Sequence, residues 1–140
     1  MSTGAQQPAA LRWHPEIFVR GKLDAADEIV APGFVYHAAG FPETPLGPEG
    51  VKHVATAYRA ALGNLELIDE DVVTQGEVTA YRFILRGTHQ GELLGVAATG
   101  KRIEVRGFDL FHSRDGKVTA LWQVWDRLGF LQQVGASDVK

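Results

Sequence analysis

KRIEVRGFDLFH (residues 101–112), SRDGK (113–117) and VTALWQVWD (118–126) read as one long hairpin, and its two faces decide the fold. Asp115-Gly116 between two β-rich runs is the strongest short-range hairpin signal in the chain, because glycine accepts the positive φ of a tight turn. Side chains alternate along a strand, so each arm sorts by parity. Odd positions give Val105, Gly107, Asp109, Phe111, Leu121, Gln123 and Trp125. Even positions give Glu104, Arg106, Phe108, Leu110, His112, Ala120, Trp122, Val124 and Asp126. A turn of three residues would set odd positions opposite one another. The odd face is then apolar apart from Asp109 and Gln123, and one carboxylate with one carboxamide on such a face marks a small-molecule site.

Upstream of the hairpin, residues 65–74 and 78–88 read as a second strand pair joined at Gln75-Gly76. Tyr81, Phe83 and Leu85 alternate there with Arg82, Ile84 and Arg86, giving one aromatic and one largely basic face. A Gly-punctuated loop (89–100) links the two pairs. Pro48-Glu49 opens the clearest helix, with Val51, Val54, Tyr58 and Ala61 or Leu62 as its buried stripe and Gly63 as its stop. Phe34-Val35-Tyr36-His37 is a short strand, followed by a Gly- and Pro-rich loop from 39 to 47. Asp24 is placed to cap a short helix at 25–30. Residues 9–19 carry a helical stripe that Pro15 must kink or restart, since proline lacks the amide hydrogen. At the other end, Asp126 is placed to cap a last helix at 127–134, which Gly135 stops. Helices followed by an antiparallel meander predict an α+β domain: a curved, mixed but mostly antiparallel sheet wrapped around N-terminal helices. Residues 1–8 are expected to be a disordered tail and 9–136 a single domain.

Composition narrows the function. A length of 140 residues suits one domain, and 45% apolar with 22% charged residues is ordinary for a globular protein. The net charge of −3 offers no basic field to nucleic acid or anionic lipid. No cysteine is present, which excludes disulfides and thiolate chemistry. None of the five histidines forms His-x-His or His-Glu-x-x-His, so a metal site has no support. The N-terminal residues lack a signal-peptide pattern and no run approaches 18 apolar residues, so the expectation is a soluble, cytoplasmic protein without membrane contact.

With these elements in place, the chain resembles the SnoaL-like polyketide cyclases of the nuclear transport factor two-like fold. The resemblance runs from about residue 9 to 135. It rests on Phe34-Val35-Tyr36-His37, on Gly47-Pro48-Glu49-Gly50-Val51-Lys52 and on Leu85-Arg86-Gly87-Thr88-His89-Gln90-Gly91-Glu92. It continues through Leu94-Gly95-Val96-Ala97-Ala98-Thr99-Gly100-Lys101, Asp115-Gly116-Lys117 and Trp125-Asp126-Arg127-Leu128-Gly129. The resemblance implies a cone-shaped α+β barrel, a homo-oligomer, and ring closure by intramolecular aldol chemistry without metal or organic cofactor. Aligned on the hairpin, the cyclases' acidic general acid/base falls on Gln123 and their assisting histidine on Asp109.

The candidate site follows. Asp109 is the catalytic acid/base: a carboxylate in an apolar pocket is destabilised when charged, which should raise it from about 3.9 toward a working pH. Gln123 is the oxyanion donor or the orienting partner of Asp109. His37 and His89 are candidate ligand contacts, His89 being as well placed to brace its loop. Tyr58, Tyr81, Phe83, Phe111 and Trp125 should wall a pocket for a flat hydrophobic ligand. A non-catalytic domain binding a hydrophobic small molecule is the alternative function. Epoxide hydrolysis is a weaker one, since paired carboxylates bridged by arginine are needed and Arg106 and Asp126 face away from Asp109. Phe108, Leu110, Trp122 and Val124 form an apolar stripe on the outer face, where a homodimer is expected.

Overall fold

A computed structural model describes residues 8–38 and 44–136 of the chain. The expected tail at 1–8 therefore falls outside the described residues except for Pro8, as do residues 39–43 of the loop at 39–47. In chain order the elements are α1 (Ala9–Arg12), a π-helix (Trp13–Val19), α2 (Ala25–Ile29), β1 (Val30–Ala38) and α3 (Pro48–Ala61). They continue with β2 (Leu62–Gln75), β3 (Val78–His89), β4 (Arg102–Arg114), β5 (Lys117–Trp125) and α4 (Arg127–Gln133). The strands form one sheet in the order β1-β5-β4-β3-β2, with β1 parallel to β5 and the other pairs antiparallel. This is the expected α+β architecture. The sheet is open rather than a closed barrel: β1 and β2 are its edges, and α3 packs against both.

The hairpin alternates strictly along β4, with Ile103, Val105, Gly107, Asp109 and Phe111 inward and their even neighbours outward. Its turn differs from the expectation. Arg114 pairs with Lys117, so only Asp115 and Gly116 are in the turn, at φ 53 and 78, the positive pair that matches the twist of the flanking strands. That turn alone would bring even positions of β5 to the inner face, and Val118 is indeed buried there. A bulge then resets the parity: Ser113 pairs with Val118 but His112 pairs with Ala120, leaving Thr119 extra. The Thr119 hydroxyl donates to the His112 carbonyl at 3.2 Å. Beyond it Phe111 faces Leu121, Asp109 faces Gln123 and Gly107 faces Trp125. Gly107 permits the closest of these approaches, since a Cβ would stand 2.6 Å from the Phe83 ring and 2.8 Å from the Trp125 Cβ.

Pro15 acts on the first helix as its chemistry requires. It cannot donate the α-helical bond, and the backbone widens from Trp13 to Val19, with the Arg20 amide donating to the Pro15 carbonyl at 3.1 Å. The widened turn buries Trp13, His14, Ile17 and Phe18 together. Trp13 sits at the centre of the core, its ring 5.3 Å from Phe34 and 5.2 Å from Phe111.

Several boundaries differ from expectation, β1 beginning at Val30 rather than Phe34 and β2 at Leu62 rather than Leu65. Gly63 does not stop α3, which passes directly into β2 at Leu62. Asp24 occupies the N-cap of α2 without a side-chain cap bond, and that helix ends at Ile29. Asp126 does cap α4, accepting from the Gly129 amide at 2.8 Å, and α4 ends at Gln133.

Candidate active site

Asp109 and Gln123 meet as the hairpin register dictates, the Gln123 amide donating to Asp109 Oδ1 at 2.8 Å. The other oxygen of Asp109 is not left to an apolar pocket. It lies 2.7 Å from Nε2 of His14, whose Nδ1 is 2.7 Å from Oδ1 of Asp69. The expectation of a lone carboxylate is thereby corrected: the π-helix lowers an imidazole onto it. Asp69 reaches the same point from β2, opposite Phe83 and one residue before a second bulge, at Glu70. The bulge at Glu70 thus adjoins the carboxylate that β2 turns toward this cluster.

Ionised carboxylates can only accept, so this double contact favours hydrogen on both ring nitrogens and the imidazolium form of His14. Burial by itself opposes that charge. The hydrogen bonds to Asp109 and Asp69 and their negative charges more than offset it, and the His14 pKa is pushed up from 6.5 to about 9. On the far side, the Tyr36 hydroxyl donates to Gln123 Oε1 at 3.3 Å, which fixes the carboxamide with its nitrogen toward Asp109. Burial pushes the Tyr36 phenol well up, with the neighbouring Tyr58 and Asp109 adding to it. The chain of contacts is Asp69, His14, Asp109, Gln123, Tyr36.

Beside this chain lies a cavity lined by His14 and Gln123 at its polar end and by Trp13, Phe18, Tyr58 and Trp125 among its aromatic walls. Phe83, Leu65, Leu67 and Leu85 complete it. The Trp125 indole donates to the Tyr58 hydroxyl at 2.7 Å and locks two of the walls together. The volume is about 20 Å³, room for a single water. Asp109, buried to 2% exposure, stands one side chain behind the lining.

Of the expected pocket residues, Gln123, Tyr58, Phe83 and Trp125 line the cavity. The others do not. Tyr81 donates to the Ala10 carbonyl at 3.0 Å and packs on His14, while Phe111 belongs to the core beneath Trp13. His37 lies on the outer face, exposed and stacked 4.8 Å from Trp122, because β1 turns Tyr36 rather than His37 inward. His89 braces its loop. Its Nε2 donates to the Val96 carbonyl at 3.2 Å, its Nδ1 lies 2.9 Å from the Thr99 hydroxyl, and its ring meets Phe130. Arg106 and Asp126 face outward as expected, so no arginine bridges Asp109 to a second carboxylate; the shared cation is His14. Among the described residues no cluster suited to a metal ion is found, and no helix is long and apolar enough to cross a membrane.

His14, Asp69, Trp13 and Tyr36 were not singled out by the sequence reading. One signal was present: a histidine inside an apolar helical stripe, directly before the proline that disrupts it.

Comparison with known proteins places the chain in a family. The sequence model of the SnoaL-like polyketide cyclase family matches residues 9–134. The chain is 26% identical over 132 residues to aklanonic acid methyl ester cyclase AcmA of Streptomyces galilaeus, covering 94% of this chain and 92% of that protein. Among solved structures, wild-type IdmH of Streptomyces antibioticus, described as a candidate polyketide cyclase, superposes with a TM-score of 0.78 at 30% identity, covering 93% and 99% of the two chains. TsrD of Streptomyces laurentii shares the fold, with a TM-score of 0.82 at 24% identity over 92% and 96%.

Proposed function

The chain belongs to the SnoaL-like polyketide cyclase family, and from that premise we propose that it acts on a hydrophobic, aromatic or polycyclic carbonyl compound by cofactor-independent acid/base chemistry, as an aldol-type cyclase or a related isomerase or lyase. One observation carries the reading: Asp109 is held between His14 and Gln123, and both of these line an aromatic-walled cavity. Asp109 removes the proton next to the substrate carbonyl. The second N–H of the Gln123 carboxamide faces the negative charge that develops on oxygen, while His14, whose two N–H groups are held by Asp109 and Asp69, contributes its positive charge alone. A cavity of about 20 Å³ admits no ring system, so the substrate enters as the walls part and uncovers Asp109. The walls that meet there are the π-helix with Trp13, His14 and Phe18 and the edge strand β2 with Leu65 and Leu67.

The test is incubation with aromatic polyketide methyl esters. Aldol closure leaves the mass unchanged and shifts the retention time, and Asp109→Asn should slow it by about 10²- to 10⁴-fold. Turnover at the wild-type rate in that variant removes Asp109 from the chemistry. Gln123, which cannot take up a proton, favours a second reading as a hydrophobic-ligand binding domain. That reading predicts tight binding with the ligand recovered intact from both proteins.

Assembly belongs to the same proposal. Phe108, Leu110, Trp122 and Val124 form an exposed apolar stripe on the outer sheet face, extended by His37 stacked on Trp122. We place a homodimer interface there. Phe108→Glu with Trp122→Glu should yield monomers by sedimentation velocity; a wild-type protein already monomeric at micromolar concentration ends this assignment.

A further inference from the structure

Trp13 is fully buried, it lines the cavity, and its indole nitrogen is a buried polar side-chain atom without a hydrogen-bond partner among the described residues. The other buried hydrogen-bonding groups around the cavity are committed. The Trp125 indole donates to Tyr58, Tyr36 donates to Gln123, and both nitrogens of His14 face carboxylates. An indole nitrogen can only donate, so no change of tautomer or rotation of a hydroxyl resolves the mismatch. Leaving such a donor unpaired costs a protein more than a made hydrogen bond gains it, and the mismatch is concentrated in the wall of the proposed site.

We propose that Trp13 is a ligand-positioning residue whose Nε1–H donates to an uncharged oxygen acceptor, a ketone or ester carbonyl, of the bound hydrophobic compound. This rests on the reading of the cavity as a substrate site and adds a chemical requirement to it. The Asp109 end of the cavity handles the proton, while Trp13 selects ligands that carry a carbonyl at a second point. Its neighbours Phe34, Phe111 and Tyr36 hold the ring by edge and tilted contacts, so the donor is pre-organised and little rotamer freedom is lost when it engages. A purely apolar ligand of the same shape would fill the walls and leave the donor unpaired. A ligand with an ammonium group in place of the carbonyl would set donor against donor.

The experiment uses two flat tricyclic probes of one shape, 9-fluorenone and fluorene, which differ in a single carbonyl. Fluorenone has no hydrogen next to its carbonyl, so it reports binding without turnover. The wild type should bind fluorenone about tenfold more tightly than fluorene, and Trp13→Phe should bring that ratio close to one. In ¹⁵N-labelled wild type, the Trp13 indole cross-peak should move downfield with fluorenone and not with fluorene, a readout that stands even if Trp13→Phe folds poorly. A ratio unchanged in Trp13→Phe, an indole signal that ignores the carbonyl, or failure of both probes to bind each overturns the assignment. Loss of polyketide turnover in the wild type, with the indole contact intact, would instead count against the acid/base reading alone.

Discussion

The two faces of the β4–β5 hairpin come from alternating residues of the same strands, yet each carries what the other would be expected to carry. The inner face holds the buried Asp109 and the half-buried Gln123 and receives the His14 imidazolium. The outer face, open to water, shows Phe108, Leu110, Trp122 and Val124. Burying charge costs free energy unless it is paired and hydrogen-bonded, and exposing aromatic surface forgoes hydrophobic stabilisation. A sheet selected for stability alone would reverse both choices. The inversion is what the two proposals require of the sheet, a ligand within and a second copy without, and it is where they can be tested.

The sharpest way to break this comparison uses one residue type on one strand. Phe111 is 0% exposed and Phe108 is 60% exposed, three positions apart on β4. Phe111→Ala removes a ring packed between Trp13 and Tyr81 and should cost about 3–5 kcal/mol in urea denaturation, as large core truncations do. Phe108→Ala, measured on dilute monomer, should change stability by about 0.5 kcal/mol or less. Equal costs would mean that the faces have been assigned wrongly.

The inner charge itself can be titrated. His14 has a folded pKa of about 9 against an ordinary value of 6.5, so the folded chain holds the proton more tightly than the unfolded chain. Its contribution is fully present below pH 6.5. It declines as pH rises from there and is lost as the folded pKa is passed, a swing on the order of 3 kcal/mol. Wild-type stability should therefore fall across pH 6.5–9, and His14→Gln should flatten that segment. A wild-type profile level across this window would show that the imidazole is not held charged between Asp69 and Asp109.

The faces were legible from parity, but the device that aligns them was not. Alternation along β4 predicted Val105, Gly107, Asp109 and Phe111 on the inner face, where Ile103 joins them, and the pairing of odd positions was expected across a three-residue turn. The chain achieves it with two turn residues and the Thr119 bulge. Threonine is as much at home in a regular strand as at a bulge, so nothing local marks the extra residue. The histidine of the site was hidden for a different reason. His14 meets Asp69 and Asp109 across separations of 55 and 95 residues, and only the folded sheet brings those three together. Asp69 itself stands in an acidic run, Asp69-Glu70-Asp71, where the next two carboxylates pair with Arg82 on the outside. Spacing within that run does not reveal which one turns inward; the bulge at Glu70 decides it. His37 was misplaced because Tyr36 and His37 are adjacent and the register of β1 against β5 determines which faces in.

The smallest effect tests the hairpin's second carboxylate. Asp126 has even parity, follows the last residue of β5, and spends its oxygen on the Gly129 amide at the start of α4. If the inner face alone carries the chemistry, Asp126→Asn should leave turnover within about twofold of wild type, because asparagine caps a helix as well as aspartate does. Asp126→Ala should lower stability by about 1 kcal/mol without altering the pH dependence attributed to His14. Both variants separate capping from catalysis, since only the alanine removes the acceptor that Gly129 needs. A loss of turnover in Asp126→Asn comparable to that of Asp109→Asn would place a working carboxylate on the wrong side of the sheet, and the division of labour between the faces would fall with it.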